Sequence, residues 1–210
     1  MERSAAAKVS VRAIVVLAAV AVFVLIVDQV AKALVLAHLT EGEQAPVLGS
    51  LLVFLFTRNP GAAFSIGTGS TWIFTIIAIG VFVFVVWYAR RIRSVWWAIV
   101  FGLLLGGLLG NLYDRLFRPP GFGQGEVIDF IKIPLLPAIF NLADSAIVAA
   151  MALFLILTLV GVGLDGRRAG AAEAVPEGHA ESGSAEVADT AATDASPARP
   201  VSEERHDGDA

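Results

Sequence analysis

The stretch "FNLADSAIVAAMALFLILTLVGV", residues 140–162, contains one charged residue, Asp144, in an otherwise largely apolar run. An apolar run of about 20 residues is long enough to cross the ~30 Å hydrocarbon core of a bilayer as a helix. The stretch therefore predicts a membrane span with a carboxylate just inside its first turn.

The rest of the chain has the same character. Of its 210 residues, 57% are hydrophobic, and the mean hydropathy of +0.76 exceeds that expected of a soluble domain of this length. Four windows are long enough to span a bilayer, at about residues 13–36, 70–88, 95–113 and 141–162. The predicted fold is a membrane all-α, four-transmembrane-helix bundle.

The first of these windows could instead be a cleaved secretory signal, because basic residues precede it. That alternative is rejected, since the apolar run lasts too long and no polar mature domain follows it. The basic residues themselves are Arg3, Lys8 and Arg12 before the first window, Arg90, Arg91 and Arg93 after the second, and Arg167 and Arg168 after the fourth.

Clusters of basic residues in short loops mark the cytoplasmic side of a membrane protein. The three clusters lie on one side of the predicted bundle. This predicts a cytoplasmic N-terminus over residues 1–12 and a cytoplasmic C-terminus. Residues of about 37–69 and 114–140 then lie on the other side, and these two loops are the candidates for function.

Two segments outside the spans have a distinct composition. The segment "VLGSLLVFLFTRN", residues 47–59, is rich in β-favouring residues before a Pro-Gly turn, which predicts a short strand pair or a small extracytoplasmic sheet. Residues 165–210 hold eleven acidic residues and four arginines, with almost no large apolar residue. That composition predicts a disordered acidic cytoplasmic tail after a membrane domain of residues 13–164.

Some chemistries are excluded or disfavoured at once. The chain has no cysteine, which rules out thiolate catalysis and cysteine-ligated metals. Its three histidines, His38, His179 and His206, are scattered, so a histidine metal cluster or a Ser/His/Asp site is improbable. We therefore expect no metal and no cofactor.

Ionisable residues in membrane helices are costly and are functional candidates for that reason. In "DQVAK", residues 28–32, Asp28 and Lys32 stand four apart in the acid-then-base order that favours pairing on a helix. A neutralising pair and a direct functional role are both consistent with this spacing. In "RNPGAAFS", residues 58–65, Asn59 begins a turn that is either a plain loop or a binding element at the membrane surface.

The segment "GGLLGNLYDRL", residues 106–116, places glycines on one helix face, which favours close helix packing. The same face ends in polar residues, so a smooth groove would terminate in hydrogen-bonding groups. Arg115 could pair with Asp114 or hold a carbonyl of a ligand. The residues of this face that matter are Gly102, Gly106, Gly110, Asn111, Asp114 and Arg115.

Asp129 lies in the apolar segment "VIDFI", residues 127–131, on the same predicted side as Asp144. Asp144 alone is explained as a helix cap, with Asn141 as the N-cap residue. A cap does not explain Asp129. Two carboxylates in a partly dry site share a proton, so one can act as a base toward water and the other as an acid toward a carbonyl, as in aspartic proteases.

These five motifs, "DQVAK", "RNPGAAFS", "GGLLGNLYDRL", "VIDFI" and "FNLADSA", together resemble those of the prolipoprotein signal peptidase (signal peptidase II) family. The resemblance covers about residues 12–162. It implies an intramembrane aspartyl endopeptidase that removes the signal peptide from diacylglyceryl-modified bacterial prolipoproteins, cutting just before the lipidated cysteine. It further implies a multi-pass protein of the bacterial cytoplasmic membrane, with its active site near the extracytoplasmic surface.

Carried onto this chain, the resemblance implies Asp129 and Asp144 as the catalytic pair. Asp114 is the rival for this role, and it ranks third because its helical row and a neighbouring arginine suit a structural ion pair. The implied supporting or substrate-binding residues are Asp28, Lys32, Asn59, Gly110, Asn111, Arg115 and Asn141. The expected partners are the prolipoprotein substrate and membrane lipid, with no nucleic acid, and the expected state is a monomer.

Two features depart from the family pattern. The segment of residues 117–126 looks longer than in compact members and could alter a lid over the site, and the acidic tail has no counterpart in the core family. Two other classes of function stay open from the residues alone. One is a small proton-coupled transporter or channel subunit, in which the intramembrane acids form an ion path. The other is a structural assembly subunit, which leaves the paired acids unexplained.

Overall fold

The computed structural model describes residues 10–61 and 71–168. Within these ranges four helices are long and apolar enough to cross a membrane, which confirms the predicted spans. The helices are α1 (Val11–His38), α2 (Thr71–Tyr88), α3 (Val95–Phe117) and α4 (Leu142–Leu159), and a short 3-10 turn (Ala89–Arg91) follows α2. The predicted tail of residues 165–210 lies outside the described residues from residue 169 onward.

The four strands are β1 (Gln44–Leu48), β2 (Leu52–Asn59), β3 (Val127–Lys132) and β4 (Ile139–Phe140). They form one antiparallel sheet in the order β1-β2-β3-β4. The predicted small sheet is therefore confirmed, and it is larger than a strand pair. Because β3 pairs with β2, Asp129 lies opposite Thr57 and next to the turn that begins at Asn59.

α3 is the central helix of the bundle, because half of its most apolar window is buried, against about a quarter for each of the others. Its glycines explain this position. A Cβ atom at Gly106 would lie 2.6 Å from the Cβ atom of Val24 in α1, and one at Gly102 would lie 2.8 Å from that of Val20. The predicted close packing on the glycine face is thus confirmed.

A second apolar core joins the sheet to the end of α1. Phe56, Ile128 and Phe130 from the strands pack with Val35 of α1. This contact fixes the sheet at the end of the bundle where α1 ends and α4 begins. The polar residues of β2 and β3 are thereby held next to the first turn of α4.

Two predicted helix ends differ from the structure. α3 continues to Phe117 instead of ending near Tyr113, because the charge of Asp114 is neutralised inside the protein and does not end the helix. α4 ends at Leu159, short of residue 162. Residues 160–166 form turns after it, and an isolated bridge pairs Val162 with Arg168.

From the sequence, residues 117–126 are a candidate for part of a lid over the site, and hydrogen bonds hold this segment in place. The backbone N–H of Gly125 donates to the carbonyl of Arg115 at 2.9 Å. The hydroxyl of Thr75 in α2 donates to the carbonyl of Gly123 at 2.9 Å. The segment therefore packs against α2, and none of its residues lines the cavity described below.

Candidate active site

The first polar group of the site is a set of opposite charges between α1 and the end of α3, in which Asp28, Lys32 and Asp114 are fully buried. The Lys32 ammonium contacts the carboxylates of Asp28 at 2.8 Å and Asp114 at 2.7 Å. Asp114 also accepts from Arg118 at 2.5 Å. The Gln29 amide donates to both carboxylates, at 3.1 and 3.3 Å. Two carboxylates and two cations balance here, so we call these five residues the ion cluster.

The ion cluster confirms the predicted pair of Asp28 and Lys32. It also corrects one prediction: the arginine that pairs with Asp114 is Arg118, not Arg115. Residues four apart lie on one face of a helix, whereas adjacent residues point in different directions. Gln29 and Arg118 were missed by the sequence reasoning, although the spacing from Asp114 to Arg118 was a usable signal.

Asp28 also forms a hydrogen bond with the start of α4. Its Oδ1 atom accepts from the backbone N–H of Ala143 at 3.0 Å. A Cβ atom at Gly110 would lie 2.5 Å from Asp28 Oδ2 and 3.1 Å from the Cβ atom of Ala143. Gly110 therefore leaves the space in which the carboxylate reaches α4, which explains its place among the predicted supporting residues.

Asp144 is held by a capping box, as predicted. Its Oδ2 atom accepts from the backbone N–H of Asn141 at 3.1 Å, and the Asn141 side-chain oxygen accepts from the Asp144 N–H at 3.0 Å. The other carboxylate oxygen, Oδ1, accepts from Asn111 Nδ2 at 2.8 Å. The capping geometry thus fixes the direction of the carboxylate.

Asp129 lies in β3 with 3% of its surface exposed. Its two oxygens accept from Asn59 Nδ2 at 2.9 Å and from Asn141 Nδ2 at 2.7 Å. Burial raises the pKa of Asp129 to about 7. The amide of Asn59 opposes that shift, and the charge of Asp144 adds to it.

Two asparagines connect these groups. Asn141 donates to Asp129 and caps Asp144 at the same time, so one side chain sets the positions of both carboxylates. The Lys32 ammonium donates to Asn111 Oδ1 at 3.0 Å. Because that bond occupies the amide oxygen, the amide nitrogen of Asn111 is directed at Asp144.

Asp129 and Asp144 line one cavity of about 260 Å³. The cavity has polar walls from β2 and α3 and apolar walls from β4 and α4. Its lining comprises Asn59, Gly61, Asn111, Arg115, Val127, Asp129, Ala138, Ile139, Phe140, Asp144, Ile147 and Val148. A second, apolar groove of about 470 Å³ runs along α4 and shares Phe140, Asp144 and Val148 with it. The carboxylates therefore lie where a polar cavity meets an apolar groove.

Among the described residues, Arg115 is the one cation that lines this cavity. Its guanidinium donates to the carbonyls of Gly61 at 3.1 Å and Asn111 at 3.4 Å. Its Nε atom is buried and has no hydrogen-bond partner among the described residues. Within residues 10–61 and 71–168, no group of three or more potential metal ligands comes together.

The structure thus separates the predicted site residues into two layers. Asn59, Asn111, Arg115, Asp129 and Asp144 line the cavity, and Asn141 bonds to both carboxylates. The second layer consists of Asp28, Lys32, Gly110 and Asp114, which do not line it.

Four spans, a small sheet and a carboxylate cavity at their junction define a membrane-embedded enzyme. Two solved structures support this class. Both are described as bacterial membrane enzymes, at 2.3 and 1.9 Å resolution, and both are 31% identical to this chain. Their TM-scores are 0.64 and 0.63, and the matches cover 72% of this chain and 91% and 96% of theirs.

The family follows from the sequence comparisons. The family model described as signal peptidase (SPase) II matches residues 20–160. The lipoprotein signal peptidase of Leifsonia xyli subsp. xyli is 65% identical over 176 residues, which cover 81% of this chain and 82% of the relative. That of Rhodococcus jostii is 47% identical over 147 residues, which cover 70% and 74%. The chain belongs to the signal peptidase II family, a family of membrane peptidases.

Proposed function

We propose that this protein is an aspartyl endopeptidase that removes the signal peptide from diacylglyceryl-modified bacterial prolipoproteins, cutting just before the lipidated cysteine. Family membership supports the substrate class. The observation that carries the mechanism is that Asp129 and Asp144 line one cavity and are both held by Asn141. The transporter alternative loses support, because Asp28 and Asp114 are balanced by the buried Lys32 and the partly buried Arg118.

The two carboxylates have environments that suit different roles. Asp144 lies at the third position of α4, and its two carboxylate oxygens accept from the side-chain amide of Asn111 and from the backbone N–H of Asn141. Asp129 is buried, and its pKa is raised to about 7, which favours the protonated form. We assign Asp144 as the general base and Asp129 as the general acid.

In the proposed reaction, Asp144 takes a proton from water while the water oxygen attacks the scissile carbonyl carbon. Asp129 gives its proton to the carbonyl oxygen, which yields a neutral gem-diol. When the C–N bond breaks, the proton on Asp144 goes to the leaving amine. A gem-diol hydroxyl returns its proton to Asp129, so both carboxylates regain their starting states.

The substrate is part lipid and part peptide, and the two adjoining spaces match this composition. The guanidinium of Arg115 and the amides of the cavity suit peptide carbonyls. The apolar groove along α4 suits a hydrocarbon chain. The basic clusters support an orientation in which both chain ends are cytoplasmic and the cavity is extracytoplasmic. The monomeric state and the limits of the membrane domain, residues 13–164, remain predictions.

The test is cleavage of a diacylglyceryl-modified prolipoprotein by purified protein in detergent. We expect Asp129→Asn and Asp144→Asn each to lower kcat by at least about 100-fold, because general acid–base groups contribute that much. Asp165→Asn is the matched control, since Asp165 is a half-exposed acid after α4 that does not line the cavity. Normal turnover by both folded variants would refute the assignment.

A further variant separates the mechanism from its rival. Asp114→Asn should reduce the midpoint of thermal unfolding, because Asp114 belongs to the ion cluster. If Asp114→Asn is instead inactive with an unchanged midpoint, while Asp129→Asn is active, Asp114 replaces Asp129 in the catalytic pair.

A further inference from the structure

The end of the bundle opposite the carboxylate cavity has a cleft of its own. The cleft has a volume of about 450 Å³ and is lined by Arg90, Arg91, Arg93, Leu164 and Asp165. The excess of basic residues on one side of a membrane protein explains why arginines occur at this end. It does not require them to converge on a cleft.

The cleft is built by hydrogen bonds between the α2–α3 connection and the turn after α4. The backbone N–H groups of Arg93 and Ser94 donate to the carbonyl of Leu164 at 3.0 and 2.9 Å. The indole N–H of Trp97 donates to the carbonyl of Val162 at 3.0 Å. These bonds hold the arginine-bearing connection against the turn, so the cleft has a fixed wall on each side.

No salt bridge to a described residue neutralises the arginines of the cleft. In the described part of the chain, Arg90, Arg91 and Arg93 form no salt bridge. Among the described residues, Asp165 is the one acid that lines the cleft, and it lies 4.0 Å from Arg167, which is outside the cleft. The lining of the cleft therefore has an excess of positive charge, which favours the binding of an anion.

Aromatic rings place this charge at the depth of lipid headgroups. The Arg91 guanidinium lies 5.0 Å from the ring centre of Trp87 and 5.6 Å from that of Tyr88, both at the end of α2. Trp and Tyr are enriched at the interface between hydrocarbon and water. The outward surface of α2 below them is apolar, with Val83, Phe84 and Val86 exposed.

We propose that this cleft binds the phosphodiester headgroup of an anionic phospholipid, of the phosphatidylglycerol type, whose acyl chains lie along α2. Arginine suits this ligand because its planar guanidinium matches phosphate oxygens in a bidentate manner. Basic pockets between membrane helices are a recognised type of lipid site. The lipid would fasten the α2–α3 connection to the turn after α4, far from the catalytic cavity.

The test uses the purified full chain in zwitterionic detergent, titrated with phosphatidylglycerol or with phosphatidylcholine of the same acyl chains, and followed by the thermal unfolding midpoint. We expect phosphatidylglycerol to raise the midpoint more than phosphatidylcholine. Arg90→Gln/Arg93→Gln should weaken the apparent affinity for phosphatidylglycerol by roughly tenfold or more, since each basic residue near the surface contributes substantially.

Arg167→Gln/Arg168→Gln is the matched control, because it removes two charges from the same end and substitutes none of the residues that line the cleft. It should bind phosphatidylglycerol as the unmodified chain does. Equal weakening in both double variants would overturn the proposal in favour of general charge attraction. Prolipoprotein cleavage by Arg90→Gln/Arg93→Gln, expected to be unchanged in detergent, shows that the variant is folded.

Two further titrations, with phosphatidylcholine and with inorganic phosphate, identify the source of the anion. An equal rise of the midpoint with phosphatidylcholine would overturn the proposal, because the acyl chains alone would then suffice. An equal rise with inorganic phosphate at the same concentration would also overturn it, in favour of a soluble anion. Arg90→Lys/Arg93→Lys should retain part of the affinity, because lysine keeps the charge and loses the bidentate geometry.

Discussion

Two pairs of carboxylates lie at the same end of this molecule, and the protein treats them differently. Asp28 and Asp114 are fully buried, and each contacts the Lys32 ammonium. Asp129 and Asp144 line a cavity, and their hydrogen-bond donors are amides. The first pair is neutralised by charge, whereas the second is only held in position.

The difference matters because a carboxylate in direct contact with a cation has its charge balanced in place, whereas acid–base chemistry needs a carboxylate that faces the reacting groups. Amide donors hold the oxygens of Asp129 and Asp144 in position without adding a balancing charge. The ion cluster is therefore suited to support the structure, and the cavity pair to acid–base chemistry. Each prediction below tests one side of this comparison.

The largest effect is expected from Lys32→Met, which removes the cation shared by Asp28 and Asp114. Removing one partner of a buried ion pair costs about 3–5 kcal/mol, because the remaining charges stay buried and unpaired. The midpoint of thermal unfolding in detergent should fall steeply. Lys132→Met is the matched control, since this lysine is half-buried and has no salt bridge among the described residues. Similar losses in both variants would contradict the role of the ion cluster.

The next effect concerns pH and Asp129. Its pKa is raised to about 7 from an ordinary value of 3.8, so the folded state binds more protons than the unfolded state between these values. Stability from Asp129 is then fully present below about pH 4 and is lost as the pH rises through about 7. The change amounts to at most about 4 kcal/mol.

This loss is measured as the thermal midpoint between about pH 4 and pH 8, compared with Asp129→Asn. The variant cannot ionise at this position, so its midpoint should depend less on pH over this interval. Parallel pH profiles for the two proteins would show that Asp129 does not titrate in this way. Activity should likewise decline above about pH 7, as the general acid loses its proton.

Gly110 lies between Asp28 of the ion cluster and the first turn of α4, which carries Asp144 of the cavity pair. In Gly110→Ala the added methyl group would lie 2.5 Å from the Asp28 carboxylate and 3.1 Å from the Cβ atom of Ala143. Overpacking of this kind costs about 1–3 kcal/mol, and here it would also displace the start of α4. Gly80→Ala in α2 is the matched control, because no described atom beyond its chain neighbours and the adjacent helix backbone lies within 4 Å of its Cβ position. We expect Gly110→Ala to lose stability and activity and Gly80→Ala to keep both.

The spans were predictable because their apolar runs leave few alternatives to a membrane. The end of α3 was predicted four residues too early, since hydropathy counts Asp114 as a polar interruption and cannot show that Lys32 and Arg118 neutralise it. Such pairing depends on which helices are neighbours. The motif "VIDFI" was not predicted as a strand, because β3 is buried at five of its six positions and shows no alternation of polar and apolar residues.

The site was predictable as a set of residues and not as a geometry. The cap at Asp144 follows from local spacing, and the structure confirms it. The double role of Asn141 does not follow from spacing, because it requires β3 and the start of α4 to meet. The same holds for Asn111, whose amide is directed at Asp144 only because Lys32 of another helix occupies its oxygen.

The smallest change in stability is expected from Asp144→Asn. The new side chain keeps an oxygen that can accept from the Asn141 N–H, so the capping box survives in part. Its amide nitrogen would face Asn111 Nδ2, which costs the hydrogen bond now made by Asp144 Oδ1. We expect a loss of about 1 kcal/mol or less, because a single hydrogen bond contributes about that much.

A thermal midpoint close to that of the unmodified chain, together with the loss of prolipoprotein cleavage, would separate the catalytic use of Asp144 from its structural one. A midpoint as low as that of Lys32→Met would instead mean that the two pairs of carboxylates do not differ in the way proposed.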